Sequence, residues 1–232
     1  MIEIRPFASL GGANHGWLDA RHHFSFADYL DRNRMHWGRL RVWNDDVIAP
    51  RTGFPPHPHR DMEIITYVRE GAITHQDSLG NLGRTEAGDV QVMSAGSGIM
   101  HSEYNLEEVE TRLFQIWIQT DRRGAEPSWG TRPFPKADRA GRFVALASGF
   151  ENDGNALPIG AAARVVGATL QAGENISYPL GEGRRAYLVP ATGVIEIEGN
   201  RINARDGVAI HDMKVVTIMA IEESEIVLVE TA

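Results

Sequence analysis

Along most of the chain, apolar and polar positions alternate with a period of two. In "TRLFQIWIQT" (111–120), Phe114, Ile116 and Ile118 share one face, and Leu113, Gln115 and Trp117 share the other. This spacing predicts a strand. Comparable runs are "LRVWNDDVIA", "MEIITYVRE", "DVQVMS", "FVALAS", "ARVVGATL", "AYLVPA", "VIEIEG", "VVTIMAI" and "EIVLVE". They are rich in β-branched residues, bounded by Gly, Pro, Asn or Asp, and not separated by long amphipathic helices. The expectation is an all-β chain built of sandwiches or barrels.

Periodicity disappears between Asp121 and Gly141, where "DRRGAEPSWGTRPFPKADRAG" is rich in Pro, Gly and charge. This stretch reads as a connection packed on the surface, dividing the chain into 1–125, a linker at 126–140, and 141–232. The two parts share a faint repeat. Gly71 opens one strand, with "GN" at Gly80–Asn81 and a further glycine at Gly88. Gly193 opens another, with "GN" at Gly199–Asn200 and Gly207 following. Each series suits strand, turn, strand, turn, as a duplicated unit would give.

Composition narrows the chemistry. The 232 residues carry 23 Lys and Arg against 31 Asp and Glu, a net charge of −8. With no basic cluster, direct binding of nucleic acid is not expected. There is no cysteine, which removes disulfides, thiol catalysis, zinc fingers and iron–sulfur clusters. His, Asp and Glu are left as the strong metal ligands. No apolar run is long enough to span a bilayer, and "MIEIRPFASL" resembles neither a signal nor a transit peptide. The expectation is a cytoplasmic monomer without membrane contact.

Eight of nine histidines fall within the first 101 residues. Two pairs stand out: His57 and His59 in "GFPPHPHRDME", and His101 and Glu103 in "SGIMHSEYN". Residues two apart on a strand project to one face. If the two strands are neighbours, three imidazoles and a carboxylate converge. That set suits one divalent first-row ion (Fe, Ni, Co, Cu, Mn or Zn) over Ca or Mg. On an octahedral ion it leaves two positions for a bidentate substrate, or for substrate plus dioxygen.

The segment from Gly53 to Gly71, with H-x-H and Glu63, resembles the first cupin motif, and that from Gly88 to Asn105 resembles the second. The second carries four residues, Ser97 to Met100, where cupins usually have two, and Ser94 where they usually have Pro. "NHGWLD", "FSFADY", "RVWNDDVI", "HPHRDMEIITYV", "HQDSLGN" and "MSAGSGIMHSEYN" occur in order and are similar to the pirin family. The resemblance covers nearly all of residues 1–120 and fades beyond. It implies two tandem cupin barrels facing each other, the N-terminal one holding a metal through His57, His59, His101 and Glu103. It also implies quercetin 2,3-dioxygenase activity, with Glu103 as the catalytic base or a persistent ligand. The partners implied are a flavonol-like small molecule and O2. A family member that acts as a transcription cofactor implies the alternative of a non-catalytic metal-binding regulator working through protein contacts. A cupin isomerase or small-ligand binder is a third reading.

Applied to the second repeat, the offsets of the four ligands land on Pro179, Gly181, Ala220 and Glu222, so no second metal site is expected. His211 reads as structural or exposed. Glu63 suits either a carboxylate orienting a ligand imidazole or an exposed strand position. His22 and His23 are candidates for the pocket mouth, against core packing of Phe24 and Phe26. His75 and Asp77 read as a hydrogen-bonded pair. Trp43, Phe54 and Met93 could be pocket walls, with core packing the favoured reading, and Asp45 and Asp46 read as a turn.

Overall fold

The computed structural model describes residues 1–232. The chain is nearly all β, its helical content confined to short 3-10 turns at Phe7–Ser9 and Lys136–Arg139. Four antiparallel-dominated sheets stack as two barrels. In the N-terminal barrel, a four-stranded sheet (Thr52–His59, Ile99–Asn105, Ala72–Asp77, Leu82–Glu86, in spatial order) faces a seven-stranded one. The C-terminal barrel repeats the four-plus-seven arrangement. Gly71 and Gly193 both sit at φ +75°, opening corresponding strands of the two repeats.

The two seven-stranded sheets lie back to back, which explains the two-sided pattern of Thr111–Gln119. Phe114, Ile116 and Ile118 join Trp43, Tyr67, Tyr187, Val189 and Val227 in a core of 24 buried residues that unites the barrels. On the other face, Leu113, Gln115 and Trp117 look into the N-terminal barrel, the latter two lining its cavity. The C-terminal interior is packed solid by aliphatic residues such as Ile195, Ile197, Ile202 and Ile218. Burial of so much aliphatic surface is the main term holding it together.

Two segments depart from the sequence reading. The expected linker holds the strand Ser128–Arg132, which pairs with Val90–Ser94 and extends the N-terminal seven-stranded sheet. Beyond it, Arg139 is fully buried, donating to the Tyr67 hydroxyl (2.9 Å) and pairing with Glu225 (3.4 Å), so the connection is itself part of the join. The opening strand Ile2–Arg5 crosses over to pair with Gly207–Ile210 of the C-terminal barrel. No helix is long and apolar enough to cross a membrane.

Candidate metal centre

The H-x-H pair lies on Thr52–His59, an edge strand, and His101 and Glu103 lie on its neighbour Ile99–Asn105. Edge position is what permits Pro55, Pro56 and Pro58, because a proline cannot donate to a ladder on both sides. The pairing is interrupted by a bulge: His101 opposes His57, but Glu103 opposes Phe54, so the proline strand carries one extra residue. Such a bulge re-aims the side chains around it. Gly53 makes the approach feasible, since a Cβ there would stand 2.2 Å from the Glu103 carbonyl oxygen.

Three imidazoles converge as the spacing predicts. The ligand nitrogens of His57, His59 and His101 lie within 4.8 Å of one another, and the Nε2 atoms of His57 and His101 are 3.0 Å apart. Hydrogen bonds at the far side of two rings, His57 and His101, assign their tautomers. His57 Nδ1–H donates to the Pro55 carbonyl at 2.8 Å, leaving its Nε2 bare. His75 Nε2–H donates to Asp77 Oδ2 at 2.9 Å, so its bare Nδ1 accepts from His101 Nδ1–H at 3.3 Å. His101 Nε2 is therefore also bare. Two facing lone pairs at this separation repel unless a cation lies between them. Burial, then His57, holds His59 down to about 4. Burial, then His57, His59 and His75, pulls His101 down to about 2. These are neutral nitrogen donors, and they fit a divalent transition metal.

Glu103 stands differently. Its carboxylate groups with His101 and His75 rather than with the full imidazole set. It is fully buried and accepts from Gln91 Nε2 (2.6 Å), Gln115 Nε2 (2.8 Å) and Thr66 Oγ1 (3.2 Å). Burial pushes its pKa up to about 7, although those three donors pull the other way. The donors belong to a row across the facing sheet, in which His22 pairs with Asn44, Asn44 with Gln115, Gln115 with Thr66, and Thr66 with Gln91. Sequence reasoning missed Thr66, Gln91 and Gln115. The available signal was a polar residue at an inward position of an otherwise apolar strand, as with Gln115 between Leu113 and Trp117.

The other candidates separate by strand face. His75 and Asp77 are the expected pair, now beneath His101, with Trp129 of the expected linker stacked on His75 at 4.7 Å. Glu63 points the opposite way from Ile64 and Thr66, toward Gly160, and is buried accepting the Ser94 hydroxyl rather than an imidazole N–H. Neither reading of it holds. His22 lines the cavity and bonds Asn44 (2.9 Å), whereas His23 is buried between the barrels against the Tyr187 hydroxyl (2.9 Å). Phe54 is a cavity wall, as is Phe26, which the core reading misplaced, while Trp43 and Met93 are core. His211 is half-exposed beside Trp37, and Glu222 is exposed. Asp45 and Asp46 are not a turn; they sit within the strand Leu40–Ile48, both buried. Asp45 faces the C-terminal barrel, where it pairs with Arg69 and Arg205, and Asp46 faces the cavity.

That cavity measures about 360 Å³ and opens onto the imidazoles. Its walls include Ala13, Leu18, Phe26, Phe54, Ile64 and Trp117. Apolar walls with few convergent polar groups are the usual make-up of a small-molecule site.

Fold and site together define a two-barrel cupin protein whose N-terminal barrel holds a histidine–carboxylate cluster of the kind that binds a divalent metal. Comparison with known proteins gives the family. The Pirin model matches residues 4–118, and the model described as "Quercetinase C-terminal cupin domain" matches residues 145–231. A pirin-like protein of Caulobacter vibrioides is 67% identical over 232 residues, 100% of both chains. The quercetin 2,3-dioxygenase of Escherichia coli (strain K12) is 42% identical over 229 residues, covering 98% of this chain and 97% of that protein. The crystal structure of a bacterial pirin from Escherichia coli in complex with nickel(II) superposes with a TM-score of 0.93 at 40% identity, covering 100% of this chain and 99% of that one. The chain belongs to the pirin family.

Proposed function

We propose that this protein is a metal-dependent dioxygenase that opens the heterocycle of a flavonol such as quercetin with O2 and releases carbon monoxide. The observation that carries the reading is the convergence of bare imidazole nitrogens at the wall of an apolar cavity of flavonoid-compatible size. His57, His59 and His101 would hold the ion, with Glu103 as the fourth ligand. A bound divalent ion would polarise a chelating hydroxyl–carbonyl pair and lower the hydroxyl pKa.

The chain's own residues supply the remainder. Phe26, Phe54 and Trp117 bind a flat apolar ring system and exclude water from it. Glu103, buried beside the cluster, would take up the flavonol hydroxyl proton on a carboxylate oxygen. Gln91 and Gln115 hold that carboxylate in place before and after the transfer. His57→Ala is expected to lose both metal content and turnover, read by elemental analysis and by the quercetin absorbance band. Full turnover by a metal-free variant would refute the reading.

A further inference from the structure

The Asp46 side chain makes no hydrogen bond within the protein. It is only 2% exposed, and its Oδ1 is wholly buried and unpaired. Across the sheet its neighbours are Ala20 and Leu113, neither of which offers a side-chain donor. The one other carboxylate lining this cavity, Glu103, is occupied by three donors. The adjacent polar residues are also paired, His22 with Asn44 and Gln115 with Glu103. A buried polar group left without a partner costs on the order of 1–3 kcal/mol, and native chains leave few of them. Asp46 lines the same cavity as the imidazoles but comes from the facing seven-stranded sheet.

We infer that Asp46 is a substrate-recognition residue, whose carboxyl group hydrogen-bonds a hydroxyl or carbonyl oxygen of a polyphenolic ligand other than its chelating pair. The inference rests on the flavonol reading above and deepens it: the preferred substrate carries a polar substituent besides its chelating pair. Burial, then the proximity of Asp45 and Glu103, pushes the Asp46 pKa well above the usual carboxylate range. A carboxylate accepts from a phenol hydroxyl, and a protonated carboxyl also donates to one. A site built to bond a hydroxyl discriminates against the analogue that lacks it, because the buried group is then left unpaired.

The test uses protein loaded with nickel(II), with quercetin and 3-hydroxyflavone as probes. The two share the chelating pair and differ in their remaining hydroxyls. Dissociation constants from tryptophan quenching are measured for the wild type, Asp46→Leu and the near-isosteric Asp46→Asn, alongside thermal midpoints. Asp46→Leu should weaken quercetin binding roughly tenfold or more, leave 3-hydroxyflavone within about twofold, and raise the midpoint, since it removes an unpaired buried carboxyl. Asp46→Asn should fall between. Equal losses for both ligands, or no loss for either, would overturn the role of Asp46 and leave the flavonol reading standing. Failure of the wild type to bind either ligand would overturn both. Should Asp46→Leu not fold, the difference between the two ligands in Asp46→Asn decides the matter.

Discussion

Asp77 lies one imidazole away from His101, and its influence passes through His75. Because a carboxylate only accepts, it fixes the proton of His75 on Nε2, which fixes that of His101 on Nδ1 and leaves His101 Nε2 bare toward the ion. Trp129, stacked on His75 with the two planes within 7°, keeps the middle ring from turning. Asp77→Asn can present an N–H to His75, inverting both tautomers. Metal affinity in competition with a chromophoric chelator should fall about 10–100-fold, with the secondary structure by circular dichroism unchanged. An unchanged affinity would show that the relay does not orient His101.

At the scale of the element, the strand Thr52–His59 shows how much geometry a short motif needs around it. Two histidines two apart share a face whatever the fold, so that part of the site was legible from spacing alone. Their distance from His101 depends on the Pro55–Pro56 bulge and on a bare Gly53 against the Glu103 carbonyl. Gly53→Ala should destabilise the fold by about 1–3 kcal/mol through this clash, read as a lower urea midpoint at unchanged m value. It should also reduce metal affinity, because it pushes the two ligand-bearing strands apart. The facing strands gave the converse lesson. Thr66, Gln91 and Gln115 carry no motif, and only the register of three adjacent strands brings them to one carboxylate. Asp45 and Asp46 looked like a turn because acidic pairs are common there. Arg69 and Arg205, distant in sequence, are what make a buried Asp45 tolerable.

Across the whole molecule, burial acts on many histidines in one direction. His22, His23, His59, His75 and His101 all have pKa values lowered from 6.5, each chiefly by burial. The unfolded chain therefore binds more protons than the folded one below pH 6.5. The stability they contribute is complete above that value and is lost as pH falls toward the folded-state values. Glu103, Asp46 and Asp89 have raised pKa values and work the other way, but the imidazoles outnumber them. The urea midpoint of the metal-free protein should fall as pH is lowered from 6.5 to about 5, and that of the metal-loaded protein should fall more steeply, because acid also releases the ion. A midpoint that rises on acidification would contradict this balance.

Alternation by itself determined that the chain is all β and how the residues of Thr111–Gln119 divide between two faces, because the period of a strand is written locally. It also determined that each of the H-x-H and H-x-E pairs shares one face, because neighbours two apart need no distant partner to do so. Only the tertiary structure decided that the expected linker supplies Trp129 and Arg139, and that the first strand belongs to the far barrel. It alone decided which polar residues surround Glu103 and that Asp46 faces the cavity unpaired. Those outcomes depend on strand register and on contacts between residues tens to hundreds of positions apart, and nothing in a local stretch of sequence fixes such pairings.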